Sequence, residues 1–168
     1  MEKPAKILLI IGMLISLFLL YEHFTPSASK FCTFGSNFDC GIVNKSPYAN
    51  VDGLSYLLTI DLGMNLPIVD IAGINPFFDL ISSNAFLGFL TLAFLFLLIR
   101  MKEEKMGFWF IKKNQVKPWI KGITLFGVVY GFYLFLVQHF ILKTYCIFCL
   151  GLDFVLITLF ILAWVKMK

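Results

Sequence analysis

Charged side chains make up 14% of this chain of 168 residues, against about 25% in a typical soluble domain. With 60% hydrophobic residues and a mean hydropathy of +0.88, that shortage excludes an ordinary water-soluble domain and leaves a membrane protein. Histidine is nearly missing, with two, and cysteine is limited to four. No flavin, haem or nucleotide motif is recognisable, so the chain supplies no such redox group of its own. The net charge of +4 does not call for nucleic acid as a partner, because the basic residues flank apolar runs.

Four such runs cover residues 5–24, 84–100, 119–142 and 146–165. A helix needs about 20 apolar residues to cross a bilayer, so the sequence predicts an all-α protein: one membrane domain over residues 1–168, built as a four-transmembrane-helix bundle. Ser82 and Ser83 before Asn84 read as the N-cap of the second span. Eleven of the fourteen basic residues fall in the first residues, in loop 101–118 with the adjoining helix ends, and in the tail. The positive-inside rule then places both termini and loop 101–118 in the cytoplasm, and all four cysteines on the extracytoplasmic side, where disulfides persist. Loop 25–83 is long. Its apolar part, 54–78, is broken by Asp61, Gly63, Pro67, Asp70, Gly73 and Pro76, which predicts short helices at the outer interface instead of another span.

The cysteines are spaced as C-x7-C, Cys32 and Cys40, and as C-x2-C, Cys146 and Cys149. On a helix the second pair lies one turn apart on one face, since three residues turn through about 300°. Cys146 falls where unpaired backbone N–H groups favour an anionic sulfur, and Cys149 lies a turn deeper towards lipid. Three chemistries compete. A zinc or iron–sulfur site would use four thiolates, but the spacing is loose and no His or Asp assists the loop pair. A purely structural loop disulfide, as in a non-enzymatic tetraspan protein, leaves Cys146 and Cys149 without a purpose. Thiol–disulfide exchange uses all four: a mobile pair across the Gly35-Ser36-Asn37 turn visits a soluble partner and then a fixed pair. Electrons would pass through Cys32/Cys40 and a Cys40–Cys146 mixed disulfide to Cys146/Cys149, and on to a lipid-soluble two-electron carrier, for which a quinone fits. Asp153 lies on the same helical face, ~10 Å below Cys146 at 1.5 Å per residue. An ionisable group at that depth points to function, here proton transfer to a quinone or a hydrogen bond to it; an interhelical bond to Tyr130 or Tyr133 is the structural alternative. His139, near the outer boundary, reads mainly as an anchor and less readily as a proton relay.

In the order of these motifs the chain resembles the vitamin K epoxide reductase family, including its bacterial and archaeal disulfide-forming members. The resemblance implies that Cys32 and Cys40 are the shuttle pair, that Cys146 and Cys149 are the active-site pair, with Cys149 facing the quinone and Cys146 exchanging with Cys40, and that Asn84, followed by Gly88, hydrogen-bonds a quinone carbonyl. Val43, Ser46 and Tyr48 match the residues that follow the loop pair. It further implies a thioredoxin-like partner acting in trans, a ubiquinone, menaquinone or vitamin K type quinone as co-substrate, no metal, and a role in disulfide formation. Reduction of vitamin K epoxide or quinone in a vitamin K cycle is the alternative. Leu152-Asp153-Phe154 stands where vertebrate members have Thr-Tyr-Ala, which weighs against the epoxide. The segment from Gly41 to Ser83 is also longer than the family leads one to expect.

Overall fold

The computed structural model describes residues 2–25, 32–34, 38–61, 63–65, 67–104 and 115–166. The Gly35-Ser36-Asn37 turn, the tail beyond residue 166 and most of the basic loop, including Phe108-Trp109-Phe110, lie outside them. Four long helices follow the apolar runs: α1 Glu2–Phe24, then, beyond the short elements of the cap, α5 Asn84–Glu104, α6 Val116–Leu136 and α7 Ile147–Lys166. All are long and apolar enough to cross a membrane, α6 together with a π-helical turn Val137–Leu142 that extends it. Helices α5 and α6 extend a turn into the charged loop, because Lys102, Glu103 and Glu104, like Val116 and Lys117, are compatible with helix once their side chains reach water.

Helix α1 packs on α5 and α7, and α6 on α5 and α7, which closes a ring of four. Only 17–28% of each spanning window is buried. The rest of the apolar surface, Leu14, Phe126, Phe132 and Phe154 among it, therefore faces outward, as in a helix bundle solvated by lipid. The protein is an integral membrane protein. Its interior falls into two clusters. One, around Leu9, Leu92, Leu95, Ile120 and Leu159, fills the half of the bundle that ends in the charged loop. There Lys6 pairs with Glu103, Arg100 with Glu104 at 3.0 Å, and Lys121 lies 5.3 Å from the Trp164 ring. The other gathers Leu19, Val43, Ala85, Cys32, Cys40 and Cys146 at the opposite end.

That second end is covered by a cap of short elements: a two-stranded hairpin, β1 Thr33–Phe34 and β2 Phe38–Asp39, then α2 Cys40–Asn44, α3 Gly53–Tyr56 and α4 Pro76–Ser82. Polar side chains in and beside the broken segment 54–78 tie it together. The Asp52 carboxylate accepts from the Ile71 and Ala72 N–H groups at 2.8 and 3.1 Å, and Ser55 bonds both backbone groups of Val69. Asn75 caps α4, accepting from Phe77 and Phe78 at 2.9 and 3.0 Å, an arrangement worth about 1 kcal/mol. Ser83 does the same for α5, accepting from Phe86 N–H at 3.2 Å. The expected short helices are present, and their apolar side chains, Leu54, Ile60, Ile74 and Phe77, point outward.

Candidate redox site

The site is assembled where the start of α7 meets the start of α2. Cys146 is not inside α7 but immediately before it, as its N-cap: its carbonyl accepts from Leu150 N–H at 3.0 Å, and its sulfur accepts from Cys149 N–H at 3.1 Å. This is the capping role that Ser or Asp usually plays, taken by sulfur. Gln138 builds the approach to it. Its carbonyl receives the N–H groups of Lys143 and Thr144, and its buried side-chain oxygen accepts from Cys146 N–H at 2.9 Å. Between them Lys143 takes φ 51°, the left-handed conformation that ends α6 and turns the chain towards α7.

On the facing side Cys40 opens α2, whose N-cap Asp39 accepts from Ile42 N–H at 3.1 Å. Asn44, at the end of α2, is buried and donates to the Leu19 carbonyl of α1 at 2.5 Å. Its own carbonyl lies 2.6 Å from His23 Nδ1, and His23 Nε2 lies 3.1 Å from Asp79 of α4. Cys40 is thus fastened to α1 and α4, which differs from the expected swinging loop pair: a helix start, anchored by an Asp cap and a buried Asn, carries this sulfur. Asp39 N–H also donates to the Tyr145 carbonyl at 3.1 Å, which ties β2 to the residue before Cys146.

Cys32 and Cys40 are disulfide-bonded, with Cα atoms 5.5 Å apart. Cys146 and Cys149 are free thiols. The sulfurs of Cys32, Cys40 and Cys146 all lie within 4.8 Å of one another, and all three residues are wholly buried. A third sulfur so close to a disulfide is suited to exchange by attack along the S–S bond. Three sulfurs in such a group are also suited to a soft metal ion once all are thiolates; the Cys32–Cys40 bond withholds two of them.

Cys149, half-buried, lines a small cavity of about 80 Å³ beneath the sulfurs. Asn84, Asp153, Val43, Ser46 and Tyr48 share its wall, so the structure brings together residues that lie up to 110 positions apart. Asn84 accepts from the Tyr130 hydroxyl at 2.7 Å and donates to the Tyr48 carbonyl at 2.9 Å; one amide hydrogen remains. The Tyr48 hydroxyl donates to Asp61. Burial, with that carboxylate second, pushes its pKa up to about 12, so Tyr48 stays neutral over the physiological range. Tyr130 is committed to Asn84, and the Tyr133 hydroxyl is buried without a partner among the described residues, so neither makes the interhelical bond to Asp153 that the sequence allowed. The Asp153 carboxylate instead packs on Gly131 of α6, where an added Cβ would collide with it. It also lines a groove between α6 and α7 that opens sideways beside Phe132 and Phe154. His139 is exposed, its Nδ1 2.6 Å from the Tyr145 hydroxyl. Gln138 is the site residue that sequence reasoning did not assign, although it binds the Cys146 backbone and lines the cavity; a lone amide in an apolar run was the available signal.

Four spanning helices, a buried disulfide with a free sulfur against it, and a second free cysteine opening on a cavity define a membrane-embedded thiol-redox protein. The chain belongs to the vitamin K epoxide reductase family, whose sequence model matches residues 4–164. Members are oxidoreductases that join cysteine chemistry to a quinone or its epoxide. Comparison with curated proteins gives no match.

Proposed function

We propose that the protein is a quinone-dependent thiol oxidoreductase that takes electron pairs from a thioredoxin-like protein outside the cytoplasm and passes them to a membrane quinone, so supporting disulfide formation. The observation that carries this reading is the position of the Cys146 sulfur, within 4.8 Å of both sulfurs of the Cys32–Cys40 bond, while Cys149 opens on the cavity. The partner's thiolate attacks the Cys32–Cys40 disulfide, and its second thiol resolves the mixed disulfide, leaving an oxidised partner and two loop thiols. Cys40 then attacks Cys146 of a Cys146–Cys149 disulfide, Cys149 departs as thiolate, and Cys32 closes back on Cys40. This returns the Cys32–Cys40 bond and leaves Cys146 and Cys149 reduced, the arrangement present here. Finally those two thiols give two electrons and two protons to the quinone, producing a quinol and the Cys146–Cys149 disulfide.

The remaining amide hydrogen of Asn84 is suited to a quinone carbonyl, and Asp153, at the groove between α6 and α7, to a proton on its way to the ring. The direction across the membrane rests on charge. Lys6, Arg100, Lys102, Lys117 and Lys121 stand at the end away from the cysteines, whereas Lys45 and Lys143 are the described basic residues near them, which favours an extracytoplasmic cysteine end.

The test is to purify the protein, supply a reduced thioredoxin-like protein with a short-chain ubiquinone or menaquinone, and follow quinone absorbance. Quinone consumption that requires Cys146 and Cys149, and that needs Cys32 and Cys40 when the electrons come from the partner, supports the relay. Consumption of vitamin K epoxide but not quinone would move the reading to epoxide reduction. An inert protein that keeps its Cys32–Cys40 bond would favour a structural tetraspan protein.

A further inference from the structure

Three of the four sulfurs form a group that the relay uses only two at a time. Cys32 stands just before β1, Cys40 at the start of α2 and Cys146 just before α7. Their sulfurs nevertheless all lie within 4.8 Å of one another, and each side chain is at 0% exposure. Three sulfurs arranged in a plane around one ion at ~2.3 Å stand ~4 Å apart, which is inside that separation. The Cα atoms of Cys32 and Cys40 are 5.5 Å apart. Parting their sulfurs from a bond of ~2 Å to ~4 Å moves each by only about 1 Å, a shift that side-chain rotation covers without moving the backbone.

The surroundings select the kind of ion. Among the described residues no His, Asp or Glu joins the three sulfurs, and the walls are apolar, formed by Leu19, Val43 and Ala85. Cys149 packs against this cluster but is not one of the three. Magnesium and calcium need a shell of oxygen ligands. Zinc takes four ligands and fills the fourth place with water where the protein offers three, and these enclosed sulfurs have no water at hand. Soft thiolates that supply three ligands and no fourth suit Cu(I). The Cys149 N–H, at the start of the 20-residue α7, donates to the Cys146 sulfur at 3.1 Å, which supports negative charge on that ligand.

We infer that the fully reduced protein captures one soft monovalent cation, of the Cu(I) class, between the sulfurs of Cys32, Cys40 and Cys146, and that the captured ion halts thiol exchange. From the arrangement present here, one reduction of Cys32–Cys40 by a dithiol produces the site: the disulfide gains two electrons and two protons, and the dithiol becomes a disulfide. The three thiols then release three protons as they bind Cu(I), and neither sulfur nor copper changes oxidation state. The protein with Cys32–Cys40 oxidised has no such site, so the ion acts as an inhibitor and is not a resident cofactor. Its purpose rests on the thiol–quinone reading: all four thiols coexist when electrons arrive faster than the quinone removes them, and capture then stops further uptake.

Binding is tested without quinone turnover. Full-length protein in detergent is reduced with a phosphine, freed of reductant and kept anaerobic, and Cu(I) is offered in competition with bathocuproine disulfonate. The reduced protein should take one Cu(I) per chain, and protein with Cys32–Cys40 oxidised should not compete with the chelator. X-ray absorption should show three sulfur neighbours. Iodoacetamide labelling read by peptide mass should find Cys32, Cys40 and Cys146 protected and Cys149 reactive. Cys149→Ser should retain the ion, and Cys32→Ser should lose it to the chelator. No capture by the reduced protein, equal capture by the oxidised protein, two sulfur neighbours, or protection of Cys149 in place of Cys32 would each overturn the inference, and all four are read on the unaltered chain. Three-sulfur capture in a protein inert to quinone would keep it and reject the proposed function instead.

Discussion

At the scale of single residues, the site depends on groups that bear no sulfur. Gln138 accepts from Cys146 N–H and from the turn before it, so Gln138→Leu leaves a buried N–H unpaired, at a cost of about 1–3 kcal/mol. We expect that variant to lose stability and to react slowly between Cys40 and Cys146, while the partner still reduces the Cys32–Cys40 bond at the normal rate. Stopped-flow measurement of the two phases separates them, and an unchanged internal phase would contradict the role. Gly131→Ala tests Asp153 without touching it, because the new Cβ would displace the carboxylate. Both Gly131→Ala and Asp153→Asn should slow quinone reduction by ~10²-fold, the usual worth of a positioned acid or base, and leave partner oxidation of the loop thiols in a single turnover intact. Full rates across pH in Asp153→Asn would exclude the proton role. Asp153 was legible in the sequence as the one carboxyl in its apolar run. Its dependence on Gly131 was not, since that contact joins two helices whose relative rotation no local pattern states.

At the scale of elements, the long helices follow from apolar runs of spanning length, and Ser83 was readable as the α5 cap. The small elements that hold the sulfurs were harder to read. Helix α2 has five residues, too few for hydrophobic periodicity, and its one local sign is Asp39 three positions before Ile42. Cys40 therefore reads as part of a loop, whereas Asn44 and His23 bind that segment to α1 and, through Asp79, to α4. The π-helical turn before Cys146 widens the backbone without altering residue pattern, so it too left no mark. It ends in Lys143 at φ 51°, a conformation that costs a side chain about 1–2 kcal/mol relative to glycine. Lys143→Gly should recover part of this and raise the thermal midpoint in detergent by a few degrees at most, with quinone turnover preserved. A lower midpoint would show that the turn is held by its lysine side chain.

At the scale of the whole molecule, hydropathy was enough for the four-helix bundle, because a bilayer imposes length and polarity on every span. The cap was legible only as broken apolar sequence; its connections, Asp52 to Ile71 and Ala72 for example, join positions nineteen and twenty residues apart. Sidedness is open to direct measurement. In a cysteine-free background, an impermeant maleimide added to intact cells should modify a single cysteine placed at the exposed Lys45 and leave one placed at Lys102 unmodified; the reverse pattern would invert the topology. The central claim is narrower, that one sulfur of the helix pair exchanges with one of the loop pair. It is tested most directly in the double variant Cys32→Ala/Cys149→Ala, which keeps Cys40 and Cys146 alone, by oxidising the purified protein and identifying its disulfides by peptide mass. The account predicts a nearly complete intramolecular Cys40–Cys146 bond, and recovery of two free thiols or only intermolecular dimers would contradict it.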